Sequence, residues 1–277
     1  MIIHLRSQSG NQSQYDEAQL RTMWQQGLLQ AGSYYWKEGM PEWRPIAELF
    51  EGSSISTPPP TPAYTQTSGY AYTKDPKALT TFLLIMLWVT FGMEIISALS
   101  NLAEMALLDG NFTEAEASAN DARQVFVGSL YLIVFIVTAV PFLMWIYRAN
   151  LNCRGFGAQG MKFTPGWSVG YYFIPIINLY RPLQAMKEIG QVSQNPTNWQ
   201  SEKISPLFGW WWALWLVAWI LGHMVWRLTM NARSIEDFQT VSGLSVLGNL
   251  NGIALCLVAI TMIKSIAAKQ DKLVTGL

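Results

Sequence analysis

Apolar positions along this chain follow two regimes, separated by a proline-rich break. Beyond residue 77 they run in four blocks, at roughly 79–101, 125–147, 207–229 and 243–266. A bilayer interior roughly 30 Å thick needs about twenty helical residues, so each block is long enough to cross it. Before residue 51 the runs are short. Ile2, Ile3 and Leu5 read as a strand, while Leu20, Met23 and Trp24 recur at helical spacing. Asp16 with Gln19 three positions later is a reciprocal cap signature, and Gly27 suits the end of that helix. Tyr34, Tyr35 and Trp36 predict an aromatic strand, followed by a turn at 39–41 and by Trp43. Between the regimes, 51–77 carries Pro58, Pro59, Pro60 and Pro62 among Ser, Thr and Gly, the composition of an extended linker. The expected organisation is a small α+β module at 1–50, a linker at 51–77 and a helical membrane domain at 78–270. About fifty residues is little for an independent core, and the aromatic load offsets that.

A fifth apolar stretch, 166–180, breaks the pattern. Fifteen helical residues reach only about 22 Å, and Pro175 interrupts them. It reads as a re-entrant or interfacial element built on Gly166, Gly170, Pro175, Asn178 and Arg181. Broken backbone at membrane depth must be satisfied by protein or a cavity, and such segments can line transport sites. A hairpin that merely packs against the bundle is the favoured reading. An amphipathic helix follows from Pro182, carrying Leu183, Met186 and Ile189.

Charge placement separates four spans from five. Arg148, Arg154, Lys162, Arg181, Lys187 and Lys203 fall between the second and third blocks, and Lys264, Lys269 and Lys272 at the end of the fourth. The connection at 104–123 is acidic. Four spans with both termini cytoplasmic put the basic segments inside.

Composition narrows the chemistry. Half the chain is apolar (51%) and 13% is charged, against about a quarter in soluble domains. Net charge is zero, so nucleic acid is not an expected partner. No signal peptide is expected from the opening residues. His4 and His223 fall in separate domains, Cys153 and Cys256 show no ligand spacing, and no metal or other cofactor is expected. Gly155, Gly157 and Gly160 spell Gly-x-Gly-x-x-Gly, but after a span and before Thr164-Pro165, so a loop is the better reading than a nucleotide site. Arg148, Asn152 and Arg154 share their spacing with Arg227, Asn231 and Arg233, which reads as coincidence. By depth, Glu94 and His223 lie about 22–24 Å from the inner boundary. Tyr131, Asn249 and Asn251 fall near the same level, which predicts an intramembrane polar layer with His223 as partner of Glu94. Such a layer is favoured as structural over ion-coupled.

The string YYWKEGMPEWRPIAELF, with Trp36, Gly39, Met40, Trp43 and Pro45 in pattern, resembles the bacterial GYF-type domain. The usual Gly-Pro-aromatic element before the helix stands here as Ser13-Gln14-Tyr15. The resemblance implies binding of proline-rich peptides, with Tyr15, Tyr34, Trp36 and Trp43 as candidates; the same rings could equally form the core. The strings FLMWIYRANLN and FTPGWSVGYYFIPIINLYRPLQAMKEI are similar to a bacterial membrane family, domain-of-unknown-function family 4328, which implies an architecture and no chemistry. The first expectation is therefore a membrane-anchored interaction protein of the bacterial plasma membrane, its module recruiting a cytoplasmic protein or proline-rich segment. The alternative is a small transporter or channel using the bundle interior and 166–181. An enzyme ranks third, for want of a catalytic constellation. Lipid is an expected partner, and oligomerisation is left open.

Overall fold

The computed structural model describes residues 2–6, 12–25, 29, 32–50 and 69–276. It divides the chain into two units, Met1–Thr65 and Gln66–Leu277. Gly27 and the prolines at 58–62 lie outside the described residues.

In the first unit, β1 (Ile2–Arg6) occupies the middle of an antiparallel sheet. It pairs with β2 (Gln12–Asp16) and β3 (Tyr34–Lys37), and β3 pairs with β4 (Arg44–Pro45), in the order β2-β1-β3-β4. Alternation along β1 buries Ile3 and Leu5 on one face. They pack with Tyr35, with Leu20 of α1 (Glu17–Gln25) and with Ile46 of α2 (Ile46–Leu49) and Phe50. Asp16 and Gln19 cap α1 reciprocally: the Gln19 N–H donates to Asp16 Oδ1 at 2.7 Å, and the Asp16 N–H to Gln19 Oε1 at 3.1 Å. β2 has no apolar alternation to announce it. It is an edge strand, and its backbone pairing with β1 sets it.

The second unit is built on α3 (Lys77–Leu108), α4 (Glu114–Gly155), α7 (Pro206–Thr229) and α8 (Ile235–Thr275). The shorter α5 (Pro165–Gly170) and α6 (Arg181–Val192) lie between α4 and α7 in sequence. α3 packs on α4 and α8, and α7 packs on α8, giving a row α4-α3-α8-α7. The four long helices are apolar enough to cross a membrane, and the protein is a multi-pass membrane protein with a small α+β unit at its N-terminus. Apolar side chains such as Phe126, Ile133 and Ile136 of α4, and Trp210, Ile220 and Trp226 of α7, face outward. Lipid satisfies such a surface as water cannot. At the end where α3 begins, Leu83, Leu87, Trp145, Ile146, Ile260 and Ile263 form a close-packed core.

The helices outrun the apolar blocks. The acidic stretch at 104–123, expected as an outer loop, is mostly helix, and only 109–113 connect α3 to α4. Hydropathy marks where lipid is, not where a helix stops. Thr113 and Glu116 form a capping box, and Glu114 and Glu116 suit the positive end of α4.

Residues 69–76, expected as linker, are fastened to this unit. Asn152 bonds the backbone of Lys74 in both directions, at 2.9 and 3.0 Å. Arg148 donates to the Asp75 carbonyl at 2.8 Å, and Tyr70 and Tyr72 lie against the Phe156 ring. The Tyr72 hydroxyl is held above its usual range by burial and by the Asp271 carboxylate beside it.

Candidate functional site

Polar residues inside the bundle gather on three helices. Glu94 of α3 is buried, and each carboxyl oxygen takes one donor: Tyr131 of α4 at 2.8 Å and Asn249 Nδ2 of α8 at 2.9 Å. Asn249 Oδ1 in turn accepts from Asn101 Nδ2 at 3.0 Å. Gly252 leaves the space that the Glu94 carboxyl occupies, since a Cβ there would meet it. Nearer the α3–α4 turn, Glu104 accepts from Ser242 at 2.7 Å, Gln124 at 3.0 Å and Asn120 at 3.1 Å. Arg123 is directed to Ser100 and Asn120. Hydropathy makes 104–123 a connection, which hides this second cluster. The i, i+3, i+7, i+10 spacing of Glu94, Ser97, Asn101 and Glu104 on one helix was the available signal.

His223 does not join this layer. It is exposed on α7, its Nδ1 lies 3.0 Å from the Trp219 carbonyl, and its ring lies on the Trp219 indole. The expected pairing with Glu94 fails because matching depth is not matching azimuth, and α7 packs on α8 rather than α3. Asn251 also turns away from Glu94 and bonds the Leu214 carbonyl of α7 at 3.0 Å.

The stretch at 166–181 is a chain of short pieces. Thr164 caps α5, whose six residues are followed by 3-10 turns at Tyr171–Phe173 and Ile177–Leu179. Gly166 is open, Gly170 abuts Trp167, and Pro175 precedes Ile176, whose φ of 68° is rare for a β-branched residue. Asn178 donates its backbone N–H to Ile174, and Arg181 lies over the Phe163 and Tyr180 rings. The segment rests on the bundle through Tyr172 against Phe142 and through the Trp212 indole N–H, which donates to the Leu179 carbonyl at 2.9 Å.

Behind it lies a polar knot. Asn150 donates to the Phe163 carbonyl and Ser168, and Arg154 donates to the carbonyls of Met161 and Phe163. The buried Glu188 carboxyl accepts the Lys162 and Phe163 N–H groups at 2.9 and 3.1 Å. Burial raises its pKa, outweighing those two bonds. Gly157 and Gly160 adopt φ of 82° and 74° in this loop, between two helices rather than a strand and a helix. The Arg227–Arg233 string has no such role: Asn231 merely bonds the Arg227 carbonyl.

In the small unit the four aromatic candidates divide between sites. Strand register puts Tyr15 opposite Ile3 on the core face, where it packs against the core. Trp36 lies opposite His4 on the other face, edge-on to it, with its indole N–H on the Met40 carbonyl at 2.8 Å. Tyr34 is exposed on that same face, and Trp43 is half-buried in the turn before β4. Tyr15 also lines a shallow hollow of about 420 Å³ with Ala18, Thr22 and Met23, rimmed by Asp16 and Gln19.

Residues 9–51 match the family described as GYF domain 2, and residues 109–268 match the domain of unknown function DUF4328. No curated protein and no solved structure matches the chain. The second match covers more than half of the chain, including the strings that hold the polar knot and the broken segment together; the chain belongs to the DUF4328 family and carries a GYF domain at its N-terminus.

Proposed function

We propose that this protein is a membrane-anchored interaction protein whose GYF domain binds a proline-rich segment of a cytoplasmic partner in the hollow beside Tyr15. The hollow carries the reading. It is shallow and open, flanked by the Tyr15 ring and the Met23 side chain, and edged by polar groups. A polyproline II segment arrives already ordered and seats its rings against such surfaces at low entropic cost. Basic residues at the end where α3 begins favour placing that end, and so both termini, in the cytoplasm of a bacterium.

The test is calorimetric titration of the full chain in nanodiscs with a synthetic peptide carrying a Pro-Pro-Pro core. Saturable binding that is lost in Tyr15→Ala and kept in Tyr34→Ala supports the hollow. No binding to the wild type, or loss in Tyr34→Ala alone, overturns it. The second reading, a small transporter or channel, draws on the buried polar residues around Glu94, and solute flux in liposomes tests it.

A further inference from the structure

The bundle contains a carboxyl group with no counter-cation. No Lys, Arg or His among the described residues is in salt-bridge reach of Glu94. The titratable groups that face it are Tyr131 from α4 and Cys256 from α8. From α7 none approaches, His223 and Arg227 being exposed on that helix. An ionised carboxylate at membrane depth is costly unless it is paired, and two neutral donors pair it only in part.

The surroundings suit the neutral acid equally well. A protonated carboxyl needs one acceptor in place of one donor. The Asn249–Asn101 amide pair supplies it by reversing as a unit: Asn249 then presents Oδ1 to the Glu94 O–H and donates its Nδ2–H to Asn101 Oδ1. One proton is bound, both Asn249 amide atoms stay paired, and the Tyr131 hydroxyl keeps its bond.

The path to that group is one-sided. Toward the α3–α4 turn, α3 presents Ser97, Asn101 and Glu104, and α8 presents Ser245 and Ser242 at matching spacing, ending where Glu104 meets Ser242, Gln124 and Asn120. In the other direction the polar groups near Glu94 end at the Thr90–Thr138 pair, 2.9 Å apart, and resume only where the Trp145 indole donates to Thr80, near the start of α3. Between the two, Leu83, Leu87, Ile146, Ile260 and Ile263 form a close-packed apolar layer.

We infer that Glu94 is a proton-binding site that exchanges its proton along this seam with the compartment faced by residues 109–113, and not with the one faced by the start of α3.

The experiment uses the full chain in vesicles of a single orientation. A hydrophobic carbodiimide, which couples to protonated carboxyls within membranes, is read at Glu94 by mass spectrometry. Coupling should rise when the compartment facing 109–113 is acidified, and stay unchanged when only the opposite compartment is. Glu94→Gln should lose the label. Asn101→Leu, which plugs the seam, should slow the response while helical circular dichroism is retained. A response to the opposite compartment alone, coupling that follows neither pH, or no coupling in the folded protein overturns the inference. So does protection by sodium at fixed pH, which would make the group a metal-cation ligand.

Discussion

Single side chains in this molecule mostly act by holding backbone. Asn152 imitates a strand neighbour for Lys74, and Glu188 imitates a pair of carbonyls for Lys162 and Phe163. The pKa of Glu188 is raised, so its contribution is fully present below the ordinary carboxylate range, about 4.3, and is lost as pH rises through the folded value. The thermal midpoint of wild type in detergent should therefore exceed that of Glu188→Gln most at acid pH, and the gap should narrow toward neutrality. A gap that widens with pH would mean that the ionised form is the favoured one. Partner choice within the bundle is tested by double-mutant cycles. Glu94→Gln with Tyr131→Phe should couple by about 0.5–3 kcal/mol, and Glu94→Gln with His223→Gln should be additive to within about 0.5 kcal/mol. Depth along each span was legible in the sequence and placed Glu94, Tyr131 and Asn249 at one level. Which way each residue faced was not, because that depends on which helices are neighbours.

At the scale of elements, hydropathy located the four long apolar helices among the described residues, and the Asp16–Gln19 cap located the start of α1. What it missed was polar structure held by pairing: β2, and the helical continuation of α3 and α4 past the lipid. α6 was legible as amphipathic, but its apolar face is buried within the unit rather than laid on a membrane, with Met186 and Ile189 fully enclosed. Gly190 is what lets α6 approach α7, since a Cβ there would strike the Phe208 ring. Gly190→Ala should cost about 1–3 kcal/mol, the usual penalty for overpacking. Phe208→Leu should restore part of it in the double variant. If Gly190→Ala leaves the thermal midpoint unchanged, the α6–α7 contact is looser than this geometry requires.

For the whole molecule, four long helices return the chain to the side on which α3 begins, and the Lys77–Asp271 ion pair at 3.2 Å joins the start of α3 to the end of α8. The short turns, 109–113 and the α7–α8 connection, thus share one side of the membrane. The segment that carries α5 and α6 lies on the other. Six helical residues of α5 reach about 9 Å, far short of a fifth crossing. Charge follows the same division, with Arg148, Arg154, Lys162 and Lys187 on the longer side and Glu114, Glu116 and Asp121 on the shorter. Single cysteines in a background without Cys153 and Cys256 make this measurable with an impermeant thiol reagent. Gly110 and Asn231 are exposed in the short turns, and Gln159 and Ser201 are exposed on the long side. Ser242 is unsuitable as a reporter, because it is buried against Glu104. In intact cells Gly110→Cys and Asn231→Cys should be labelled, and Gln159→Cys and Ser201→Cys only after the membrane is opened. The reverse pattern would place both termini outside, and with them the GYF domain, and would remove any cytoplasmic partner. Labelling of Gly110→Cys and Asn231→Cys from different sides would break the four-span arrangement itself.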